Sequence, residues 1–173
     1  MIEPIGAAEQ AIVVDLTADY VARAESIFQR EFAAVEVRFD LPGGSAGMFK
    51  VHGKSCWIRY NAWLFAKYFD DNLSGTVPHE VAHYIIHCVF GMRRIRPHGQ
   101  QWLALMHKFD ADPTVTSDFD LSGIPQHRQR RFAYRCDCRT HKLSTRRHYT
   151  VLRGKGQYQC VKCKGDLSAV QAD

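Results

Sequence analysis

The sequence has no apolar run approaching the roughly 18 residues of a membrane-spanning helix. Its strongly apolar stretches, such as Ala11-Ile-Val-Val14, are short. A helical span is therefore not expected, and we expect no membrane partner. The N-terminus lacks a basic segment followed by an apolar one, which argues against a secretory signal and for a reducing, cytoplasmic compartment. Cysteine is absent before Cys56, and glutamate is absent after Glu80. Acid is almost absent between residues 126 and 165, where Asp137 stands against 12 basic side chains. There is no internal repeat and no low-complexity tract.

What is present is globular in kind: 173 residues, 46% hydrophobic and 24% charged. The charge is unevenly placed. Residues 1–83 hold 7 Lys+Arg and 11 Asp+Glu, a balance of −4, whereas residues 84–173 hold 16 and 7, a balance of +9. Four of the six cysteines sit in the basic stretch. These shifts predict an N-terminal extension over 1–15, a core domain over 16–125 and a basic module over 126–173.

Within the core, Thr17 is the expected cap of a helix running to about Ala33, with Tyr20, Ala24, Ile27, Phe28 and Phe32 on one face. Strands are expected at Val35–Phe39, Met48–His52 and Ser55–Tyr60. Asn61 should cap a short helix to Tyr68, and Thr76 a longer one that Gly91 stops. A basic loop at Arg93–Pro97 leads to a helix over His98–Phe109, whose Trp102, Leu105, Met106 and Phe109 share a face.

The chemistry lies in His79-Glu-Val-Ala-His83. Residues four apart are one turn apart on one helical face, so two imidazoles can grip one zinc ion. Glu80 then stands beside the water that such a zinc activates and can act as general base in peptide hydrolysis. A catalytic zinc needs a third protein ligand. A downstream glutamate is ruled out by composition. His87 lies about 12 Å up the helix axis from His79, too far to converge. His98, which can fold back after the Gly91 stop and is followed by Gly99, is the preferred candidate. His107, Asp110, Asp112, Asp118 and Asp120 are the alternatives.

The basic module carries Cys138-Arg-Thr-His141 and Cys160-Val-Lys-Cys163, spaced as in a four-ligand structural zinc ribbon, with Cys136 as a fifth donor. Four of Cys136, Cys138, His141, Cys160 and Cys163 would close the site. Tyr149–Arg153 and Gln157–Cys160, around Gly154-Lys-Gly156, are expected to form a hairpin. Arg130, Arg131, Arg135, Arg139, Arg146, Arg147, Arg153 and Lys155 alternate with aromatic residues, a composition suited to phosphates and unpaired bases.

The ordered set resembles the SprT family of zinc metalloproteases in its bacterial form. The matching segments are Ser45-Ala-Gly47, Pro78-His-Glu-Val-Ala-His83, Pro97-His-Gly99 with Trp102, and Tyr134-Arg-Cys-Asp-Cys138 with His141 and Leu143. They continue through Arg146-Arg-His148, Arg153-Gly154, Tyr158, Cys160, Cys163, Gly165 and Leu167. The resemblance implies an α+β, zincin-like core of helices on a small three-stranded sheet, followed by a β zinc ribbon. It implies one catalytic zinc on His79, His83 and His98, Glu80 as the catalytic residue, and one structural zinc. It further implies protein substrates that are DNA-associated or DNA-crosslinked, as for the related protease Spartan, and DNA, single-stranded or junction-containing, as partner of a monomer. The competing expectation is a non-catalytic nucleic-acid-binding ribbon protein whose His-Glu-x-x-His core is structural or inactive.

Overall fold

A computed structural model describes residues 2–91, 96–116, 118–126 and 130–170. The basic loop expected at 93–97 falls outside them over residues 93–95. The chain is α+β and divides into two compact units, 1–126 and 127–173. In the first unit the order is α1 (Ala7–Phe28), β1 (Glu36–Arg38), β2 (Gly47–His52), β3 (Ser55–Tyr60) and α2 (Ala62–Lys67). A short turn of helix, α3 (Phe69–Asp71), then runs through a π-helical turn, Asn72–Thr76, into α4 (Val77–Phe90), and α5 (Gln100–Lys108) follows. The three strands form one sheet in the order β1-β3-β2, with β1 parallel and β2 antiparallel to β3. β2 is thus an edge strand, and Phe49 lies opposite Ile58. Alternation along β3 sends Ile58 and Tyr60 into the core, where Val77, Val81 and Ile85 of α4 and Trp102, Leu105, Met106 and Phe109 also lie buried.

Three local expectations change. Helix α1 starts at Ala7, ten residues before Thr17. Gly6 is its N-cap, and the Gly6 N–H donates to Glu9 Oε2 at 2.8 Å. Thr17 lies inside the helix, where its hydroxyl bonds the Val13 carbonyl at 2.7 Å and lies 3.1 Å from the Tyr60 hydroxyl. A threonine that satisfies its hydroxyl on the preceding turn has no need to end a helix. Within the segment expected to be an N-terminal extension, Ile5 and Val13 are buried in the main core. The helix closes at Gln29, which takes the left-handed conformation at φ 50°, short of Ala33.

Asn61 caps α2 as expected, accepting from the backbone N–H groups of Trp63 and Leu64. Thr76 is not a cap. It is helical (φ −71°, ψ −40°), and its hydroxyl donates to Asn72 Oδ1 at 2.7 Å. Asn72, fully buried, donates in turn to the carbonyls of Leu64 and Tyr68. This buried amide satisfies groups that the π turn would leave unpaired, so the chain enters α4 without a break. Pro78 sits in the first turn, where a missing N–H costs nothing, and Gly91 ends the helix at φ 73°.

The second unit contains β4 (Arg131–Cys136), β5 (Arg139–Ser144), α6 (Thr145–Leu152) and β6 (Ser168–Ala169), with an antiparallel sheet ordered β5-β4-β6. Its core consists of Tyr134, Cys136, Leu143, Cys160 and Leu167. The hairpin expected from Tyr149 is replaced by α6. His148 and Val151, three apart, face the sheet there: His148 stacks on Phe132 with centroids 3.6 Å apart, and Val151 packs on the small core.

Candidate metal centre and cleft

Helix α4 presents His79 and His83 one turn apart, and the chain returns after Gly91 to bring His98 against them. The Nε2 atoms form a nearly equilateral triangle, with 3.1 Å between His79 and His83, 2.9 Å between His83 and His98, and 3.0 Å between His98 and His79. A tetrahedral zinc with bonds of about 2.0–2.1 Å to nitrogen has donor edges of about 3.3 Å, so the triangle fits three ligands of such an ion and leaves one position open. His98 reaches it from a left-handed backbone at φ 57°. Gly99 beside it is required, because a Cβ there would lie 2.9 Å from the Arg96 carbonyl oxygen. Among the described residues, none of the alternatives joins this cluster. His107, Asp110, Asp118 and Asp120 are exposed, and Asp112 lines the neighbouring cleft. His87 packs its ring against Phe49 instead, with centroids 5.5 Å apart.

Burial pushes His79 down to about 4 and His83 down to about 3, and the neighbouring imidazoles add to both effects. His98 is also lowered by burial. All three rings are therefore neutral near pH 7, the form that binds a metal. Trp102 backs them: its ring lies 4.8 Å from those of His79 and His98, and its indole N–H points at the His79 carbonyl at 3.4 Å. Periodicity placed Trp102 only on a buried face.

Glu80 is 6% exposed. Burial raises its carboxyl to about 7, partly opposed by the Phe49 N–H, which donates to Oε2 at 2.7 Å. Because β2 is the sheet edge, that N–H is free to turn toward α4. The approach requires Gly47: a Cβ there would lie 2.6 Å from Glu80 Cγ and 2.7 Å from Thr76 Cγ2. The sequence marked Ser45-Ala-Gly47 without revealing this contact. His79 and Glu80 open onto a cleft of about 480 Å³ with a floor of Gly44–Gly47, Gly75 and Thr76. Its opposite wall is a loop carrying Asp112, Thr114, Val115, Thr116 and Phe119.

In the second unit the sulfurs of Cys136, Cys138, Cys160 and Cys163 all lie within 4.8 Å of one another. Cys136 and Cys138 are 3.5 Å apart, and Cys138 and Cys160 3.6 Å. Four convergent thiols fit a closed tetrahedral zinc site. His141, the fifth donor, stands outside the four with its Nε2 3.2 Å from Cys136 Sγ. The Cys163 N–H, with that of Lys162, holds the Cys160 thiol well below the ordinary range. Arg130, Arg131, Arg135, Arg139, Arg146, Arg147, Arg153 and Lys155 are all exposed, and none forms an ion pair among the described residues. Three lie over aromatic rings: Arg130 over Phe132, Arg147 over Tyr158 and Arg153 over Tyr149.

Among the described residues, no helix is long and apolar enough to cross a membrane. Comparison with known proteins gives a match of residues 17–121 to the model of the SprT-like family. Protein SprT of Vibrio atlanticus is 38% identical over 149 residues, covering 86% of this chain and 86% of the relative. Protein SprT of Pasteurella multocida is 37% identical over 145 residues, 83% and 84% of the two chains. Protein SprT of Shewanella oneidensis is 32% identical over 160 residues, 92% and 98%.

Proposed function

This chain belongs to the SprT-like family, and we propose that it is a zinc-dependent endopeptidase acting on DNA-associated or DNA-crosslinked proteins, with a zincin-like core and a zinc ribbon that contacts nucleic acid. The observation that carries this reading is the placement of Glu80. A carboxylate buried in the wall of an open cleft, adjacent in sequence to one of three convergent imidazoles, has among the described residues no hydrogen-bond partner beyond one backbone N–H. A purely structural metal site has no use for it.

His79, His83 and His98 would hold the catalytic zinc, and Cys136, Cys138, Cys160 and Cys163 the structural one. When bound, the catalytic ion supplies Lewis acidity to the scissile carbonyl and makes a water more acidic. The rest falls to the chain. Glu80 accepts a proton from the attacking water and passes it to the leaving amine, the role of a general base and acid held within the cleft. The Phe49 N–H and Gly47 fix the carboxylate against β2, so the base does not need to be oriented in each turnover. The floor of small residues lets a substrate backbone approach closely. Exposed arginines interleaved with Phe132, Tyr149 and Tyr158 would take phosphates and stacked bases.

The test is cleavage of a purified DNA-binding protein by the zinc-loaded chain, with and without single-stranded DNA, beside Glu80→Gln. The expected result is DNA-stimulated cleavage that Glu80→Gln reduces by about 10²–10⁴-fold while both zincs are retained. Cleavage undiminished in Glu80→Gln would overturn the mechanism. Binding of DNA without cleavage by two-zinc protein would favour a nucleic-acid-binding role.

A further inference from the structure

The residues before α1 do more than complete the core. Ile5 is buried, and its N–H donates to the Ala62 carbonyl at the start of α2 at 3.1 Å. Gln10 returns a side-chain hydrogen bond to the Ile5 carbonyl at 2.9 Å. This tether leads Ile2 onto a second, smaller cluster formed by Ala46, Leu64 and Ile124, which Phe119 and Tyr68 also join. Ile2 lies so close over Gly123 that a Cβ on that glycine would be 3.0 Å from Ile2 Cδ1. Both sides of this contact fall outside the stretch 17–121 shared with the family.

The same loop is gripped from α2. Lys67 Nζ donates to the Asp120 carbonyl and carboxylate at 2.8 and 2.9 Å, and to the Ser122 carbonyl and hydroxyl at 3.0 and 3.2 Å. Asp120 is held far below the usual carboxylate range, first by the Ser122 hydroxyl and then by Lys67. Tyr68 stacks on Phe119 at 4.5 Å and 15°, and its hydroxyl accepts the Asp120 N–H. Leu121 closes the seam with the cleft floor, its Cδ1 2.9 Å from where a Gly44 Cβ would stand. Phe119, Thr116, Val115 and Thr114 present the other side of this loop to the cleft.

We propose that Ile2 and Lys67 are positioning residues for the substrate-binding cleft: the arm 2–6 and the Lys67 ammonium together clamp residues 119–124, so the wall of Asp112, Thr114, Val115, Thr116 and Phe119 stands ready for a polypeptide. The inference rests on the endopeptidase reading for its consequence, but the clamp itself is testable without activity. Neither residue lines the cleft, so its loss acts on substrate binding more than on chemistry. A preformed wall lowers the ordering cost of binding, and a loosened one restores it.

The experiment uses the full chain as wild type, Ile2→Ser and Lys67→Met, each loaded with zinc. Amide exchange is followed at Asp120, Ser122 and Ile124, whose N–H groups are bonded within the clamp, with the amides of α4 as the control for global unfolding. Each variant is expected to exchange about tenfold faster at the clamp amides with α4 unchanged. In the cleavage assay both are expected to raise KM about five- to tenfold and leave kcat within about twofold. Unchanged exchange at Ile124 in Ile2→Ser would overturn the role of the arm, and unchanged exchange at Asp120 and Ser122 in Lys67→Met that of the lysine. A fall in kcat with KM unaltered would overturn the positioning role for both. A wild-type chain that cleaves nothing defeats the endopeptidase reading, and the exchange data still decide the clamp.

Discussion

The two units bring candidate metal ligands together by opposite routes. Among the described residues, the first unit has a core of eighteen buried residues, and Trp102 of that core packs against the three imidazoles. The core of the second has five among the described residues, and two of them, Cys136 and Cys160, are themselves candidate ligands. A unit that small lies in the range where a structural metal commonly supplies the folding energy.

The largest expected effect breaks the comparison most directly. Stripping metal with a strong chelator at neutral pH, or replacing Cys160 by Ser, should unfold the second unit and leave the first folded. Amide spectra would show collapse of dispersion over 131–169 with α4 and the β2–β3 sheet intact. Structural zinc in small domains contributes about 10–16 kcal/mol of apparent binding energy, far more than such a core can replace. Persistence of the β4–β5 ladder without metal would remove the contrast.

A smaller effect sharpens the picture of the first unit. Glu80 has a folded-state carboxyl raised to about 7 by burial, against about 4.3 when unfolded. Between those values the folded form binds the additional proton, so in metal-free protein this group makes stability fall as pH rises, levelling off above about 7. Glu80→Gln removes the burial of charge. It should therefore raise the urea midpoint of the metal-free first-unit transition at pH 8 and have little effect at pH 4. An equal shift at both pH values would mean that charge burial is not the cost carried at this site.

The smallest expected effect tests the surface of the second unit. Alanine at both Arg146 and Arg147 should weaken DNA binding and reduce the slope of log affinity against log salt by about 0.7–0.9 for each phosphate that is no longer neutralised. Fold and zinc content should not change, since both side chains are exposed. An unchanged slope would take these residues out of the DNA-binding surface.

Local physics explains which expectations met the structure. The strands Gly47–His52 and Ser55–Tyr60, the Asn61 cap, the Gly91 stop and the buried face of α5 are all short-range patterns of polarity and backbone preference. Thr17 and Thr76 misled because threonine has the side chain of a cap and equally bonds the preceding turn of a helix. The segment from Tyr149 reads as a strand by composition. It becomes helical because His148 and Val151 find Phe132 and the small core across the sheet, and no window of sequence contains those partners.

By itself, the sequence determined the donors. Helical spacing is fixed by bond geometry, so His79 and His83 had to share a face once the segment is helical. Tertiary structure decided how those donors converge. It brought His98, the preferred of six candidates, against His79 and His83 and set His141 beside, not among, four converging thiols. It buried Glu80 against an N–H thirty-one residues away, through a gap that only Gly47 leaves. It set Ile2 beside the loop that borders the cleft and Ile5 beside the start of α2. Each of those outcomes depends on which surfaces meet when the whole core closes, and that is a property of packing between distant segments that no local pattern encodes.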